Sequence, residues 1–204
     1  MRTEARWLFA VVMRSILVLL AMTAGQRVAL AQAQHVRWDI INLAFTAPPT
    51  ISAGGMAFAT ARNPTSLKIK LTGSGTFVAP ASAGTSGAVT GGGTWETFSG
   101  CPAACVSTAS GTYVVTKLAS WKFTTFQLPV LNDLIGPNAA NGNAVLRVQY
   151  SDGAEGILGI GCHGPGAPDG AVEGVIASKD EVTYWDAEAP VGGVNADRTV
   201  FHLQ

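Results

Sequence analysis

A pattern of glycine, threonine and an aromatic residue occurs three times in this chain, at an even spacing of eighteen residues. The three copies are Gly75-Thr76-Phe77, Gly93-Thr94-Trp95 and Gly111-Thr112-Tyr113. Each lies where glycine-rich sequence leads into a run that alternates between apolar and polar residues. Threonine and aromatic residues favour the pleated surface of a strand, and glycine permits the turn before it. One strand plus one turn fits the period, so the repeat predicts three consecutive strands of an antiparallel meander.

Further segments carry the strand pattern. Residues 67–72 alternate cleanly, and residues 144–162 contain two apolar runs separated by Ser151-Asp152-Gly153, which predicts a hairpin. A second hairpin is predicted over Val172–Trp185 across Lys179-Asp180, and a closing strand over Arg198–Leu203. A conservative count gives eight to ten strands.

The composition favours an all-β class, because Gly, Thr, Ser, Ala and Val dominate while strong helix formers are sparse. One helical turn is allowed between Pro129 and Ile135, where apolar residues have helical spacing. Evenly spaced sequential strands favour an antiparallel meander closed into a barrel or barrel-like sheet, with a β-sandwich as the alternative.

The N-terminus has the order of a secretory signal peptide. Arg2 and Arg6 give a positive start, Ser15–Ala24 is apolar, and two small-x-small cleavage sites follow at Ala29–Ala31 and Ala31–Ala33. The pattern predicts an exported protein, periplasmic or extracellular.

A membrane anchor is the rival interpretation of this segment. Arg14 and Arg27 bracket an apolar run that is shorter than the roughly 20 residues a bilayer requires. We therefore expect a signal peptide at 1–33, a single all-β domain at 34–204, and no membrane span after cleavage.

Charge argues against a nucleic-acid partner. The signal peptide carries four of the thirteen basic residues and one of the thirteen acidic residues, which leaves nine basic and twelve acidic groups in the mature chain. Phosphate binding needs a basic face, and a net acidic chain does not supply one.

The three cysteines allow two interpretations. Cys101 and Cys105 fall in the interval between the second and third repeats, and in an exported protein a local disulfide is the simplest prediction. The alternative is a zinc site that adds Cys162 and His163. Adjacent residues on a strand point to opposite faces, which argues against that metal site and favours a buried, apolar role for Cys162.

No catalytic motif is present. The chain lacks a G-x-S-x-G elbow, an H-E-x-x-H helix and a phosphate loop. Five acidic residues lie between Glu173 and Glu188, but their spacing selects no pair for glycoside hydrolysis. We therefore predict no catalytic residue, no metal and no cofactor.

Four aromatic residues are the candidate ligand-binding residues: Trp95, Tyr113, Trp121 and Tyr150. Aromatic side chains line pockets that hold small apolar ligands or sugars. They also fill the cores of barrels, and that alternative remains open at this point.

Several segments resemble a family of uncharacterised secreted bacterial β-rich proteins. They are Thr90–Trp95, Tyr150–Gly153 before an apolar strand, and Glu173–Val175 running on to Tyr184-Trp185. The resemblance implies a self-contained exported domain and carries no activity. The Gly-Thr-aromatic strands also resemble the glycine-rich strands of dirigent and allene-oxide-cyclase-type barrels at the level of short patterns.

Two functions follow as hypotheses. The first is an exported, non-catalytic binding or structural module. The second is a small-molecule-handling β-barrel enzyme, cyclase- or isomerase-like, with an aromatic-lined pocket.

Overall fold

The computed structural model describes residues 33–82, 84–189 and 192–204, with only the backbone described at 194–196. The predicted signal peptide lies outside the described residues apart from Ala33. The described residues form fourteen strands and no helix, in the order β1 (Gln34–Ala44), β2 (Thr50–Ala53), β3 (Met56–Thr60), β4 (Lys68–Thr72), β5 (Ser74–Ala79), β6 (Val89–Ser99), β7 (Val106–Phe126), β8 (Asn132–Asp133), β9 (Ala139–Tyr150), β10 (Glu155–Cys162), β11 (Gly174–Lys179), β12 (Val182–Tyr184), β13 (Asp186–Ala187) and β14 (Gly193–Leu203).

Six of these strands close into an antiparallel barrel, in the order β1, β5, β6, β7, β9 and β14, with β14 returning to β1. The predicted barrel is confirmed. The predicted closing strand lies within β14, which pairs along its length with β1. The allowed helical turn at 129–135 is wrong, because that segment contains the short strand β8, parallel to β2.

The three repeats lie on the neighbouring strands β5, β6 and β7, as predicted, and their aromatic residues are buried. The role assigned to the glycines is wrong. They lie inside paired strands, where Gly111 is opposite Trp95, Gly93 is opposite Tyr113, and Gly75 is opposite Trp38 of β1. A glycine therefore faces a bulky ring on the next strand, so small and large residues complement each other across the barrel wall.

Strands β4 and β5 form one continuous extended segment against β6. Lys68 pairs with Phe98 and Phe77 pairs with Val89 in a single unbroken register, with Gly73 at the junction. Beyond that junction the neighbour on the other side changes, because β5 pairs with β1 whereas β4 pairs with β3. The sheet divides at this point. β5 continues in the barrel wall, whereas β4 and β3 form a second arm of the sheet.

The second arm is joined to the opposite side of the sheet by one short segment. On that side β9 pairs with β10, which pairs with β11. Residues 182–184 pair with β11, and residues 186–187 pair with β3. The strands at the two ends of the sheet order are thus consecutive in the chain, with Trp185 between them.

Hydrophobic residues pack on both faces of the barrel wall. The larger cluster fills the interior and includes Trp38, Phe77, Leu146 and Phe201. A smaller cluster lies on the outer face of β1 and β14, where its buried members are Ile41, Leu43, Ile51 and Val200. The second cluster is covered by β2 and by the segment that follows β7.

The predicted disulfide is present. Cys101 and Cys105 are bonded in the turn between β6 and β7, and their Cα atoms lie 4.1 Å apart. Because both sulfurs are oxidised, neither is a thiolate ligand, and the zinc alternative does not apply. Cys162 is a free and fully buried cysteine of the interior cluster, whereas the adjacent His163 is exposed.

Replacing both Cys101 and Cys105 with serine is expected to lower the free energy of unfolding by about 2 kcal/mol, because the loop that the bond closes is short. Urea unfolding followed by circular dichroism measures the effect. Reductant should lower the midpoint of the wild-type protein and leave that of the double variant unchanged. A wild-type midpoint that does not respond to reductant would contradict a stabilising disulfide.

Candidate functional site

A pocket of about 440 Å³ lies on the outer face of β1 and β14, outside the barrel interior. One wall is apolar and belongs largely to the second hydrophobic cluster. It is formed by Ile41, Leu43, Phe45, Ile51, Leu131 and Val200. Phe45 is 75 % exposed, so an aromatic ring stands partly free at this wall.

The other end of the pocket is polar. It is formed by His163, Glu173, Arg198 and Gln127, together with the Gly164–Ala167 turn. Apolar and charged groups therefore face the same space, which is typical of pockets that hold a molecule with an apolar body and a polar group.

The polar end of the pocket lies where β14 stops pairing with β9, its neighbour in the barrel wall. β14 pairs with β9 at only two positions, Phe201 with Ala140 and His202 with Ala139. Beyond these pairs β10 takes the place beside β9, and β14 loses its neighbour on that side. Backbone groups of β14 must then find other partners, because a buried amide without a partner is costly.

Glu173 supplies those partners. Its Oε1 accepts a hydrogen bond from the Thr199 backbone amide at 2.8 Å, and its Oε2 accepts one from the His163 backbone amide at 2.5 Å. Thr199 Oγ1 also donates to the Gly161 carbonyl at 2.7 Å. The carboxylate thus bridges β14 to the end of β10 and is fixed in position at the pocket.

Burial raises the pKa of the Glu173 carboxyl to about 7. The two backbone amides and the electrostatic interactions with Arg198 and His163 oppose this shift without cancelling it. A carboxyl with this pKa exists in both protonation states near neutral pH, so it can gain or lose a proton as its surroundings change.

Arg198 lines the pocket and carries an unsatisfied donor. Its Nε is buried and has no hydrogen-bond partner among the described residues, and no described carboxylate forms an ion pair with its guanidinium. A buried donor without a partner carries a free-energy cost that a ligand acceptor can remove.

His163 directly follows β10, and a hydrogen bond to the segment that follows fixes the position of its ring. Its Nδ1 lies 2.9 Å from the Ala171 carbonyl oxygen. A carbonyl only accepts, so Nδ1 carries the hydrogen, and in the neutral ring Nε2 is left as the acceptor.

The turn that forms one side of the pocket is anchored by Asn141, which is completely buried. Its Oδ1 accepts from the Gly164 amide at 2.7 Å, and its Nδ2 donates to Thr125 at 3.0 Å. Gln127 donates to the Cys162 sulfur at 3.2 Å. Burial raises the pKa of the Cys162 thiol far above neutrality, so this cysteine stays a protonated thiol and is not a nucleophile.

The segment between β7 and β9 is pinned by a second polar pair. Asp133 Oδ2 lies 2.9 Å from His202 Nε2 on β14, and Asp133 Oδ1 accepts from the Ile135 amide at 2.8 Å. This contact holds the segment that carries Leu131 over the apolar wall.

The four aromatic residues predicted to bind a ligand lie elsewhere, in two groups, and none of them lines this pocket. Trp95, Tyr113 and Tyr150 pack together in the interior, with ring centroids 5.8 Å apart for Trp95 and Tyr150 and 6.2 Å apart for the two tyrosines. Burial raises the pKa of both tyrosines, whose hydroxyls donate to backbone carbonyls.

Trp121 belongs to the second group. Its ring centroid lies 4.6 Å from that of Phe201 and 5.4 Å from that of Phe77, and its Nε1 donates to Gln34 at 2.8 Å. The structure therefore does not bring the four residues into one cavity. Their role in ligand binding stays a prediction.

Sequence reasoning did not select the residues of the pocket. Ile41, Glu173 and Arg198 come from three distant segments, and Glu173 stood in the sequence as one member of an acidic cluster. Its neighbour Gly174 has a positive φ of 96° and directly precedes an apolar strand, but this local signal does not reveal the carboxylate's partners.

Two further observations bear on the chemistry. Within residues 33–82, 84–189 and 192–204, no group of three or more His, Cys, Asp or Glu side chains is placed to hold a metal ion. In the same part of the chain there is no helix with the length and apolar character to cross a membrane.

Comparison of the chain with models of protein families, with curated proteins and with solved structures found no match.

Proposed function

We propose that the protein is an exported, non-catalytic module that binds a small molecule with an apolar body in the pocket on the outer face of β1 and β14. The observation that carries the proposal is the pocket itself, which combines an apolar wall with a fixed polar end. Its volume of about 440 Å³ falls within the size of ordinary small-molecule sites. The signal-peptide pattern at 1–33 and the Cys101–Cys105 disulfide support the proposed export.

An enzyme is the second candidate, and one observation favours it. Glu173 lines the pocket with a pKa of about 7, where a carboxyl serves best as a general acid or base. The corresponding reaction class is proton transfer within a bound molecule, as in an isomerase. Mass spectrometry and NMR of a ligand recovered after incubation separate the candidates, because a binding module returns the ligand unchanged.

Phe45→Ala is expected to weaken binding of an uncharged apolar probe about tenfold, because the ring contributes exposed apolar surface to the pocket wall. The probe is N-phenyl-1-naphthylamine, whose fluorescence rises on entry into an apolar site. The wild-type protein should bind one molecule of probe with a saturable signal.

Phe126→Ala is the matched control. Phe126 is 55 % exposed and does not line the pocket, so the affinity for the probe should not change. Neither ring belongs to the buried core, and both variants should unfold at the wild-type urea midpoint. Absence of saturable binding, or equal effects of the two substitutions, would contradict a binding site at this pocket.

A further inference from the structure

We propose that the ligand of this pocket is a monocarboxylic acid with a hydrocarbon body, bound with its carboxylate on Arg198 and with Glu173 in the protonated state. This inference rests on the proposed binding function and adds the chemical class of the ligand. It also adds a proton that is taken up when the ligand binds.

Arg198 selects the head group of the ligand. Arg198 lines the pocket, its Nε is buried without a hydrogen-bond partner, and no described carboxylate lies within ion-pair distance of its guanidinium. A carboxylate is the acceptor that a guanidinium pairs with best, since it offers two oxygens to two parallel donors. A neutral alcohol can satisfy one donor and leaves the charge unpaired, and an amine is repelled.

The position of Arg198 beside the apolar wall selects the body of the ligand. Arg198 is paired across the strands with Ile41, and Val200 lies two residues further along the same face of β14. The alternation of a strand thus places the positive charge and the apolar surface side by side on one face. A molecule with a negatively charged head and a hydrocarbon body can contact the positive charge and the apolar surface together. None of its own polar groups is then left unpaired.

Glu173 is surrounded by groups from β14, from the end of β10 and from the turn that follows β10. Arg198 faces it from β14, and the Cys162 thiol and His163 face it from the end of β10 and the turn that follows. Gln127, the other polar side chain at this end of the pocket, is uncharged. Glu173 is therefore the acidic group that an entering carboxylate meets among the described residues of the pocket.

Two carboxylates in one partly buried site repel each other, and protonation of one of them removes this repulsion. Burial already brings the pKa of Glu173 to about 7, so this residue takes the proton while the ligand stays ionised on the guanidinium. Below pH 7 Glu173 is already protonated, and binding needs no proton. Above pH 7 each bound ligand draws one proton from solvent onto Glu173, so affinity falls as pH rises.

Isothermal titration calorimetry with octanoate, octanol and octylamine tests the head group. At pH 6 octanoate should bind at least tenfold more tightly than octanol, and octylamine should not bind. Between pH 7 and pH 8.5 the affinity for octanoate should fall with a slope approaching tenfold per pH unit, whereas that for octanol should stay constant. Titrations at pH 8 in two buffers of different ionisation enthalpy should report uptake of close to one proton by the wild-type protein.

Three variants assign these effects to residues. Arg198→Met should reduce octanoate affinity to the octanol level without changing octanol binding, and Arg198→Lys should retain much of the preference. Glu173→Gln should abolish the pH dependence. Glutamine can accept only one of the two backbone hydrogen bonds of Glu173, so this variant has a second test if it does not fold. The proton count of the wild-type protein is then compared with that of His163→Gln, and a count that this substitution leaves unchanged assigns the proton to Glu173.

Each outcome has one meaning. Equal binding of octanoate and octanol overturns the head-group inference and leaves the apolar pocket standing. Tight octanoate binding without proton uptake overturns the role of Glu173. Failure of all three compounds and of the uncharged fluorescent probe overturns the proposed function together with this inference.

Discussion

Replacing Trp95 with alanine is expected to lower the free energy of unfolding by about 3–5 kcal/mol. Trp95 is 2 % exposed, packs edge-on against Tyr150, and donates from Nε1 to the Thr112 carbonyl at 3.1 Å. The Lys179 ammonium lies 4.4 Å from the centre of its ring. Loss of the indole leaves a cavity in the interior and removes the aromatic face that this buried cation packs against. Urea unfolding followed by far-ultraviolet circular dichroism gives the change directly.

Trp185→Ala is the matched control for this measurement. Trp185 is 47 % exposed and belongs to neither buried cluster, so its removal should cost less than about 1 kcal/mol. A Trp95→Ala variant that unfolds at the same urea concentration as Trp185→Ala would show that the repeat aromatics do not hold the interior together.

Gly75→Ala is expected to destabilise the protein by about 2–3 kcal/mol, although alanine adds only one methyl group. A Cβ at position 75 would collide with the Thr90 carbonyl oxygen of β6 and would lie 2.9 Å from the Trp38 indole nitrogen. The first obstacle is backbone, which cannot move without breaking the pairing of β5 with β6. Urea unfolding measures the loss.

Gly87→Ala provides the comparison for the glycine prediction. A Cβ at Gly87 meets no atom within 4 Å, and alanine restricts the unfolded chain, so the variant should be as stable as the wild type or slightly more stable. Equal stability of Gly75→Ala and Gly87→Ala would contradict the close approach of strands at the repeat.

The predictions for Trp95 and Gly75 show which parts of the fold can be predicted from sequence alone and which cannot. Alternation over 67–72 and 144–162 predicts strands because a period of two needs only local sequence. The same holds for the order of β5, β6 and β7, since the repeat is even. The reason for the repeat glycines was missed, because it depends on which residue stands opposite in the neighbouring strand, and register is a non-local property.

The candidate site was less accessible to sequence reasoning than the fold. The disulfide was predictable from two cysteines four positions apart in a chain whose N-terminus has the pattern of a signal peptide. The pocket was not, because Ile41, Glu173 and Arg198 meet only after β1 and β14 have closed the barrel. The presence of the four aromatic residues is visible in sequence, whereas the direction in which each ring packs is not.

The segment that joins β12 to β13 has a consequence for the behaviour of the protein in solution. Strands at the ends of a sheet normally present unpaired amides and carbonyls, which recruit strands of other molecules and start aggregation. Here the two end strands have three and two residues and are tied together through Trp185, so the two ends of the described sheet order offer no long edge of this kind. The topology of a chain rich in β-branched residues thereby shortens the two end edges at which another molecule would add a strand.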